Sequence, residues 1–211
     1  MQTFTRPDRA LIDLFRDAPT AVVSDNLDRL PGLVGLRPFH RTGHLLGVAR
    51  TVRTRAGDNQ FIHKMLDLVQ PGDVVVVAGE GDVSRALVGE IMMTIAVKRG
   101  VAGFVIDGAI RDSAAFAAGD FPCFARGVNH RGPYKDGPGA LDVPVAISGQ
   151  VVSPGDIVVG DEDGVVTFSR EIAAGLALAV GRQLAREAEI MASIAAGTYA
   201  GAYAKKRPPG E

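Results

Sequence analysis

The sequence has one cysteine, almost no net charge and no long apolar run, and each shortage excludes a class of protein. With Cys123 alone, the chain cannot build an internal disulfide framework or a cysteine metal cluster. A formal net charge of -1 provides neither a basic face for nucleic acid nor a strongly acidic tail. No apolar run approaches the roughly 18 residues of a membrane-spanning helix, and the N-terminal MQTFTRPDRA lacks the apolar centre of a signal peptide. We therefore expect a cytoplasmic protein without a nucleic-acid or membrane partner.

At 211 residues and 46% hydrophobic content, the chain is long enough to bury one good core. No change in composition marks a boundary, so we expect a single domain over residues 1–211. Its core should span about 20–169 and be followed by a helix at about 170–196, and residues 204–211 should form a disordered tail.

A strand, a helix and a second strand make up the central part of the chain. Val74–Ala78 is typical of a fully buried strand, a helix ends near Gly100, and Ala102–Ile106 is a second short apolar run. Such a unit normally forms a crossover between parallel strands, so the loops after both strands leave the same sheet edge. Ligands collect outside the carboxyl ends of parallel strands, and this edge is therefore the candidate site.

Five charged residues follow these two strands and should share that edge. They are Glu80, Asp82, Asp107, Arg111 and Asp112. Arg111 and Asp112 are neighbours in a turn and point differently, and a guanidinium suits a planar oxyanion whereas a carboxylate suits a hard cation. Alternatively, Asp112 caps a helix over Ser113–Gly119 and Arg111 is solvated, and the residues alone leave both interpretations open.

The crossover helix has two candidate starting points, Ser84 and Gly89. Ser84 is a good N-cap residue. A start at Gly89 would leave the next three amides, Glu90 to Met92, without helical partners, and such amides bind carboxylates or phosphates.

Three strings carry a resemblance to a known family. They are GEIMMTIAVKRGVAGFVIDGAIRDSAAF, FPCFARGVNHRGP and VSPGDIVVGDEDGVVTFSRE. The chain resembles the 4-hydroxy-4-methyl-2-oxoglutarate aldolases, a family that also contains the ribonuclease-activity regulator RraA. The match covers about Asp25 to Gly197, and its most specific part is the G-[DE] helix start combined with D-G-x-x-R-D. The resemblance implies an α/β fold, layered as an α/β/β sandwich of the swivelling phosphohistidine-domain type, with a C-terminal helical extension.

The resemblance also implies an activity. It is that of a class II pyruvate aldolase, dependent on Mg2+ or Mn2+, which cleaves 4-hydroxy-4-methyl-2-oxoglutarate or a related 4-hydroxy-2-oxo acid and decarboxylates oxaloacetate. The implied assembly is a homotrimer or homohexamer with sites at subunit interfaces. The alternative is an RraA-like, non-enzymatic regulator of ribonuclease activity. Sequences of that type lack the aspartate after the arginine, whereas Asp112 is present here.

Individual residues take roles from the same resemblance. Asp112 binds the cation together with waters and the substrate's carboxylate and keto oxygens, and Arg111 donates to the keto oxygen as it becomes an enolate. The substrate-binding residues are Gly89, Glu90, Ile91, Met92 and Arg111. Glu90, where relatives often carry aspartate, orients a water on the metal that acts in proton transfer.

The lysines bear on the choice of mechanism. A retro-aldol cleavage leaves a pyruvate enolate, whose charge requires either a lysine Schiff base or a metal ion. Lys64 and Lys98 should be exposed on helices, and Lys135 lies in a flexible loop. Lys205 and Lys206 lie in the tail. None of them fits a desolvated amine, so the metal is favoured.

The last long element should be a helix over Arg170–Ala196 with an apolar stripe. The stripe comprises Ile172, Leu176, Val180, Leu184, Ala188, Met191 and Ala195. Glu187 lies one step off it, and the residues alone favour a solvated glutamate paired with Arg182 or Arg186. The resemblance instead implies that Glu187 reaches into the neighbouring subunit's site, and that RraA-type regulators lack this extension.

Shorter elements complete the predicted fold. Helices are expected at Asp8–Asp17, Asp25–Leu30 and Asn59–Leu68, and strands at Gly43–Thr54 and throughout the β-rich part after Pro122. Asp163-Gly164 indicates a hairpin between two of those strands.

Two features receive no functional role from the sequence. His63 is a lone histidine on a predicted helix without a partner at ligand spacing, and we leave it out of the site. The glycine- and proline-rich loop 127–139 holds His130, Arg131 and Lys135, which we leave unassigned although long loops are often functional.

One segment of the sequence is similar to the motif of a further fold class. VVVVAGEGD followed by FVID is similar to a nucleotide- or S-adenosylmethionine-binding unit. The third glycine of that motif is missing and the alternation of strands and helices stops after Phe121, so we disfavour it.

Overall fold

A mixed β-sheet organises the fold, and the structure, a computed structural model, describes residues 3–201. The helices within them are α1 (Arg9–Asp13), α2 (Thr20–Asp25), α3 (Gln60–Leu66), α4 (Glu90–Lys98), α5 (Ser113–Ala118) and α6 (Arg170–Ala195). The strands are β1 (Arg37–Pro38), β2 (Leu45–Thr54), β3 (Asp73–Ala78), β4 (Ala86–Val88), β5 (Gly103–Ile110), β6 (Cys123–Val128), β7 (Gly139–Leu141), β8 (Val145–Ile147), β9 (Gln150–Val152), β10 (Ile157–Asp161) and β11 (Gly164–Phe168). The tail predicted at 204–211 lies outside the described residues.

The sheet joins most of these strands in the order β1-β6-β5-β3-β2-β10-β11, with β4 beside β5 and β7 beside β2. Strands β8 and β9 pair only with each other in a small second sheet. Neighbours β2 and β3, β3 and β5, and β5 and β6 are parallel, so the predicted crossover from β3 through α4 to β5 is confirmed. The predicted hairpin is confirmed as well, because β10 and β11 are antiparallel and Asp161 pairs with Gly164.

The core lies in layers on both faces of the sheet. Val75 and Val77 of β3 pack with residues of helices α3, α4 and α5. Val74 and Val76 of the same strand face the other way and pack with the β8–β9 pair. Because successive residues of a strand alternate between faces and both faces are buried here, this strand is apolar throughout. The α/β class and its α/β/β layering are confirmed.

A third part of the core joins the two ends of the chain. Phe15 follows α1 and lies against Phe168 at the end of β11, with ring centroids 4.7 Å apart, and Val180 of α6 is buried in the same cluster. Of the stripe predicted on α6, only Leu176 and Val180 are buried, since Ile172 is 46% exposed and Met191 is 66% exposed. Within residues 3–201, neither α6 nor any other helix combines the length and the apolar character needed to cross a membrane.

The predicted second helix was misplaced. It runs from Thr20 to Asp25 and not from Asp25 to Leu30, because Val22 and Val23 are the residues that it buries. The carboxylate of Asp161 accepts a hydrogen bond from the amide of Thr20 at 2.8 Å and so caps this helix from another element. The predicted strand boundary at Ile106 was also wrong, because β5 continues to Ile110.

Candidate active site at the start of helix α4

Helix α4 begins at the second of the two predicted positions. Gly89 is its N-cap residue, and the first helical bond joins the amide of Met93 to the carbonyl of Gly89. A start at Ser84 was wrong because residues 86–88 form β4, which pairs in parallel with β5. The amides before Met93, including those of Ile91 and Met92, therefore form a helix start that can receive an anion.

The carboxylate of Asp112 is directed at this helix start. Its Oδ2 accepts a hydrogen bond from the amide of Glu90 at 3.1 Å. Asp112 also occupies the N-cap position of α5, but its side chain makes no capping bond there. The capping interpretation was therefore wrong. The backbone of Asp112 is left-handed, with φ of 54° and ψ of 38°, a conformation that aspartate tolerates better than most residues. This conformation turns the carboxylate away from its own helix.

Arg111 lies beside this carboxylate. Its amide donates to the carbonyl of Val88 at 3.0 Å, and its Nε is 3.7 Å from Asp112 Oδ2. The guanidinium and the carboxylate are each a little under half exposed, so both can reach a ligand. A Cβ atom on Gly89 would lie 2.5 Å from Asp112 Oδ2 and 3.0 Å from Arg111 Cγ. The two functional side chains therefore occupy space that only a glycine leaves free.

A cleft of about 150 Å³ adjoins Arg111. Four predicted site residues line it, namely Gly89, Ile91, Met92 and Arg111. Seven residues that sequence reasoning did not place there also line it, and the polar ones among them are Asn59, His63 and Lys135. His63 therefore lies at the cleft, while its absence from the functional residues stays a prediction. No local pattern could have placed it there, because helix α3 and the loop 129–138 meet at the cleft only in the folded chain.

The protonation of His63 is influenced by this position. Burial and the nearby Lys135 ammonium lower the pKa of His63, and Asp67 only partly opposes them. The imidazole is therefore neutral over a wider range of pH than that of an ordinary histidine.

The loop that brings Lys135 to the cleft is held by Asp58. Asp58 Oδ2 accepts hydrogen bonds from the amides of Asp136 and Gly137 at 2.8 and 2.9 Å, and Oδ1 accepts one from Gln60 at 2.9 Å. Burial alone would raise the pKa of Asp58, but these amides and Arg55 outweigh it and lower the pKa. The buried carboxylate therefore stays charged and ties the loop to the start of α3.

We expect Asp58→Ala to lower the free energy of unfolding by about 2 to 4 kcal/mol, because three amides lose a charged acceptor. Asp58→Asn is the matched control: its amide oxygen can still accept from Asp136 and Gly137, and it should cost less. Urea unfolding of the three proteins measures both values. If Asp58→Ala were as stable as the parent, the proposed anchoring of the loop would be wrong.

The other predicted charged residues do not join the site. Asp107 lies inside β5, where its carboxylate accepts from the amide of Gly81 at 3.0 Å and pairs with Arg126. Because its charge is paired, the strand continues past Ile106. Asp82 accepts from the amide of Ser84 at 3.0 Å within its own loop. Neither these residues nor Glu80 line the cleft.

Glu187 lies elsewhere in the chain. Its Oε1 accepts a hydrogen bond from Gln183 Nε2 at 2.9 Å, and it lines a different cleft with Asp25 and Arg29. The same Gln183 nitrogen is 3.0 Å from Asp25 Oδ2, which joins α6 to α2. The role of Glu187 in a neighbouring subunit stays a prediction.

The lysines are placed as expected where the structure describes them. Lys64, Lys98 and Lys135 are all exposed, so none of these three is a desolvated amine. Lys205 and Lys206 lie outside the described residues.

A divalent cation fits this arrangement through Asp112. Oδ2 of the carboxylate is bound to the amide of Glu90, and the side chain is 44% exposed, so that a cation can reach it. Residues 3–201 contain no cluster of three or more His, Cys, Asp or Glu side chains that could hold a metal alone. Mg2+ usually needs only one or two carboxylates, with waters and substrate oxygens as its other ligands. The donor set therefore suits Mg2+ or Mn2+ and not a metal that requires a closed protein cage.

Comparison with known proteins finds similarity over most of the chain. The RraA-like family, described as Aldolase/RraA, matches residues 20–167. A protein of Halalkalibacterium halodurans named "Putative 4-hydroxy-4-methyl-2-oxoglutarate aldolase" is 41% identical over 160 residues, which are 75% of this chain and 76% of that protein. The family match includes all the cleft residues described above and ends before α6.

Two solved structures are also similar. The RNA-processing inhibitor RraA from Thermus thermophilis superposes with a TM-score of 0.66 at 30% identity, over 72% of this chain and 93% of that one. RraAS2 from Streptomyces coelicolor, an unusual member of the RNase ES inhibitor RraA protein family, gives a TM-score of 0.79 at 28% identity, over 88% and 97%. Both superpositions support the fold. Because the match to RraAS2 covers 88% of this chain, the length of the chain alone does not distinguish it from such inhibitors.

Proposed function

Since the chain belongs to the RraA-like (Aldolase/RraA) family, we propose that it is a divalent-metal-dependent pyruvate aldolase of class II. It would cleave 4-hydroxy-4-methyl-2-oxoglutarate or a related 4-hydroxy-2-oxo acid to pyruvate and a carbonyl product, and would also decarboxylate oxaloacetate. The observation that carries this proposal is the Asp112 carboxylate beside Arg111 at the open start of α4.

Different residues of the chain would have different roles in such a reaction. The amides at the start of α4, those of Ile91 and Met92, would hold the substrate's first carboxylate. The Arg111 guanidinium would donate to the keto oxygen as that oxygen gains charge in the enolate, a contribution of about 3 to 4 kcal/mol. The exposed carboxylate of Glu90 would position a water for proton transfer. A divalent cation held by Asp112 would supply additional Lewis-acid stabilisation of the enolate charge.

Decarboxylation of oxaloacetate requires the same groups. Loss of carbon dioxide from that substrate leaves the same pyruvate enolate as cleavage of the carbon-carbon bond in a retro-aldol reaction. A site that stabilises charge on the enolate oxygen therefore accelerates both reactions.

A non-enzymatic role is the second candidate. The two solved RraA structures match this fold closely, and one of them covers 88% of the chain. Asp112 favours the enzyme, because the resemblance described above implies that RraA-type regulators lack an aspartate at this place. The two candidates differ in a simple measurement, since only the enzyme releases pyruvate.

The test is a pyruvate assay coupled to lactate dehydrogenase, with oxaloacetate and 4-hydroxy-4-methyl-2-oxoglutarate as substrates. We expect pyruvate release that a chelator removes and added Mg2+ or Mn2+ restores. Borohydride with pyruvate should leave the enzyme active, because none of the lysines in residues 3–201 is the desolvated amine that a Schiff base requires. A trapped lysine adduct would show that the metal route is wrong, and no pyruvate under any condition would favour the regulator.

We further propose that the active form is a homotrimer or homohexamer in which Glu187 of one subunit completes the site around Asp112 of the next. What supports this is the position of Glu187 on the second half of α6, which extends beyond the core of its own subunit. Glu187 is half-buried there, and it does not line the cleft of its own subunit that contains Arg111. Met191 and Ile194 on the same half are 66% and 50% exposed, as expected of residues that contact another subunit.

Mixing two inactive variants tests this arrangement. Asp112→Ala and Glu187→Ala subunits should each be impaired, and a mixture that exchanges subunits should regain activity. With random assembly from equal amounts, about one quarter of the interfaces would hold an intact site. Activity measured before and after exchange gives the result. Full activity of Glu187→Ala alone, or of a monomer, would remove Glu187 from the site.

A further inference from the structure

Glu187, which the proposed arrangement delivers to a neighbouring subunit, is held within its own subunit by Gln183. The two residues lie four positions apart on helix α6, and Gln183 Nε2 donates to Glu187 Oε1 at 2.9 Å. Side chains at this spacing are neighbours on one face of a helix, so the bond forms without a change of the backbone. It restricts the rotation of a long side chain that is otherwise free to turn.

A second carboxylate fixes the position of the Gln183 amide. The same nitrogen is 3.0 Å from Asp25 Oδ2 on helix α2, and an amide nitrogen has two hydrogens, one for each of its two acceptors. Asp25 is itself held by Arg29, whose Nε donates to Asp25 Oδ1 at 2.8 Å. The hydrogen bonds from Arg29 and from Gln183 lower the pKa of Asp25, so this carboxylate is charged at neutral pH.

Asn26 excludes the reversed orientation of the Gln183 amide. Asn26 Nδ2 donates to Gln183 Oε1 at 2.8 Å and to the carbonyl of Val22, which can only accept, at 2.9 Å. If the Gln183 amide were turned over, its oxygen would face two carboxylates and its nitrogen would face the nitrogen of Asn26. Both sets of contacts would then be repulsive. Gln183 therefore has one favourable orientation, in which it joins helix α2 to Glu187.

The position of Gln183 along α6 gives these bonds their importance. Val180 is the last residue of the helix that is fully buried, and Gln183 and Glu187 follow it and are half-buried. Apolar packing therefore holds the helix most firmly before Gln183. From there on, hydrogen bonds to α2 contribute to the orientation of the side chains.

We infer that Gln183 is a positioning residue of the proposed reaction, which holds the Glu187 carboxylate in the orientation that enters the neighbouring subunit's site. This inference rests on the proposed function for the role of Glu187 in that site. It adds a residue that touches no substrate and acts through Glu187. A misplacement of a catalytic group by about 1 Å can cost 100-fold in rate, so loss of the Gln183 bonds should be visible in turnover.

The test removes the donor and keeps a side chain of similar length. Gln183→Met has a good helix propensity but cannot donate to either carboxylate. With 4-hydroxy-4-methyl-2-oxoglutarate and Mg2+, we expect kcat to fall about 10 to 100-fold and KM to change less than about 2-fold, because Glu187 would act on the transition state and not on substrate binding. Gln183→Lys again places a donor between the two carboxylates and should recover part of the lost kcat.

Gln150→Met is the matched control for loss of a glutamine. Gln150 lies on β9, and its Nε2 donates to the carbonyl of Val151 at 3.2 Å instead of to a carboxylate. This variant should keep the kcat and the KM of the parent. Thermal unfolding of all the variants shows that each one is folded.

Two further measurements distinguish action through Glu187 from a structural role. In a Glu187→Ala background, Gln183→Met should cause no additional loss of kcat, since the residue that it positions is already absent. Gln183→Met subunits mixed with Asp112→Ala subunits should regain activity, because about one quarter of the interfaces then hold an intact site. Mixed with Glu187→Ala subunits they should not, because both lesions lie on the same helix. Additional loss in the double variant, or recovery in this last mixture, would overturn the inference.

The outcomes also separate the positioning role from the proposed function. If the parent releases pyruvate and Glu187→Ala is impaired, a parent-like kcat in Gln183→Met rejects the positioning role alone. If Glu187→Ala is fully active, the shared site and the positioning role both fail while the aldolase stands. A parent protein that releases no pyruvate rejects the aldolase and the positioning role together.

Discussion

Asp112→Ala should abolish metal-dependent pyruvate release and oxaloacetate decarboxylation while the chain remains folded. The carboxylate of Asp112 contacts the start of α4 through the amide of Glu90, and its side chain is 44% exposed. The variant therefore loses the proposed cation ligand but no part of the buried core. Loss of this bond to the helix start should cost only about 0.5 to 2 kcal/mol of unfolding free energy, as for a lost N-cap. The coupled assay and thermal unfolding measure the two effects.

Asp112→Asn tests whether the loss of activity is due to the loss of the negative charge of Asp112. Asparagine tolerates the left-handed backbone at this position and retains an oxygen that can accept from Glu90. We expect it to fold as well as the parent and to be as inactive as Asp112→Ala, because a neutral amide is a poor ligand for Mg2+. Titration with Mn2+, followed by electron paramagnetic resonance, should show weakened binding in both variants. Full activity in either one would reject Asp112 as the ligand.

The second large effect is expected for Gly89→Ala. An added Cβ would lie 2.5 Å from Asp112 Oδ2, closer than Cβ atoms come to other atoms in proteins, and 3.0 Å from Arg111 Cγ, a distance that few Cβ contacts show. Both side chains would have to move, and displacement of catalytic groups by about 1 Å can cost 100-fold in rate. We therefore expect kcat/KM on oxaloacetate to fall at least about 100-fold. Because the displaced atoms belong to partly exposed side chains, the thermal stability should change little.

Gly119→Ala is the matched control for this substitution. Gly119 follows helix α5, has an ordinary φ of -121°, and a Cβ there would have only the carbonyl oxygen of Ala115 within 4 Å, at 3.9 Å. This variant should retain the parent activity and stability. If Gly89→Ala were also fully active, the close packing of Arg111 and Asp112 on the helix start would have no role in catalysis.

Local sequence patterns were sufficient to predict the strand and the helix start that position the site. The valine run of β3 is buried on both faces, and strands of that kind are recognisable from composition alone. The glycine before Glu90 and the pair Arg111 and Asp112 were recognised as strings that resemble a known family, and that resemblance is confirmed by the family match over residues 20–167. These signals are short in sequence, so they do not depend on how distant parts of the chain meet.

The ends of strands and helices that depend on contacts with distant residues were less predictable from the sequence. Strand β5 continues through Asp107 because Arg126, far away in sequence, pairs with its carboxylate. Helix α2 is set by the burial of Val22 and Val23 and by a cap from Asp161. In both cases a local prediction, that the strand ends before a charged residue or that the helix begins at Asp25, was overridden by a tertiary contact.

By itself, then, the sequence determined the α/β class, the crossover, the family and the identity of the residues at the start of α4. Only the tertiary structure excluded capping of α5 by the Asp112 side chain, because a left-handed backbone turns the carboxylate towards another helix. Only the tertiary structure brought His63 and Lys135 to one cleft. They are 72 positions apart in the numbering and share no pattern, and what joins them is the buried Asp58 carboxylate, whose hydrogen bonds hold the loop against α3.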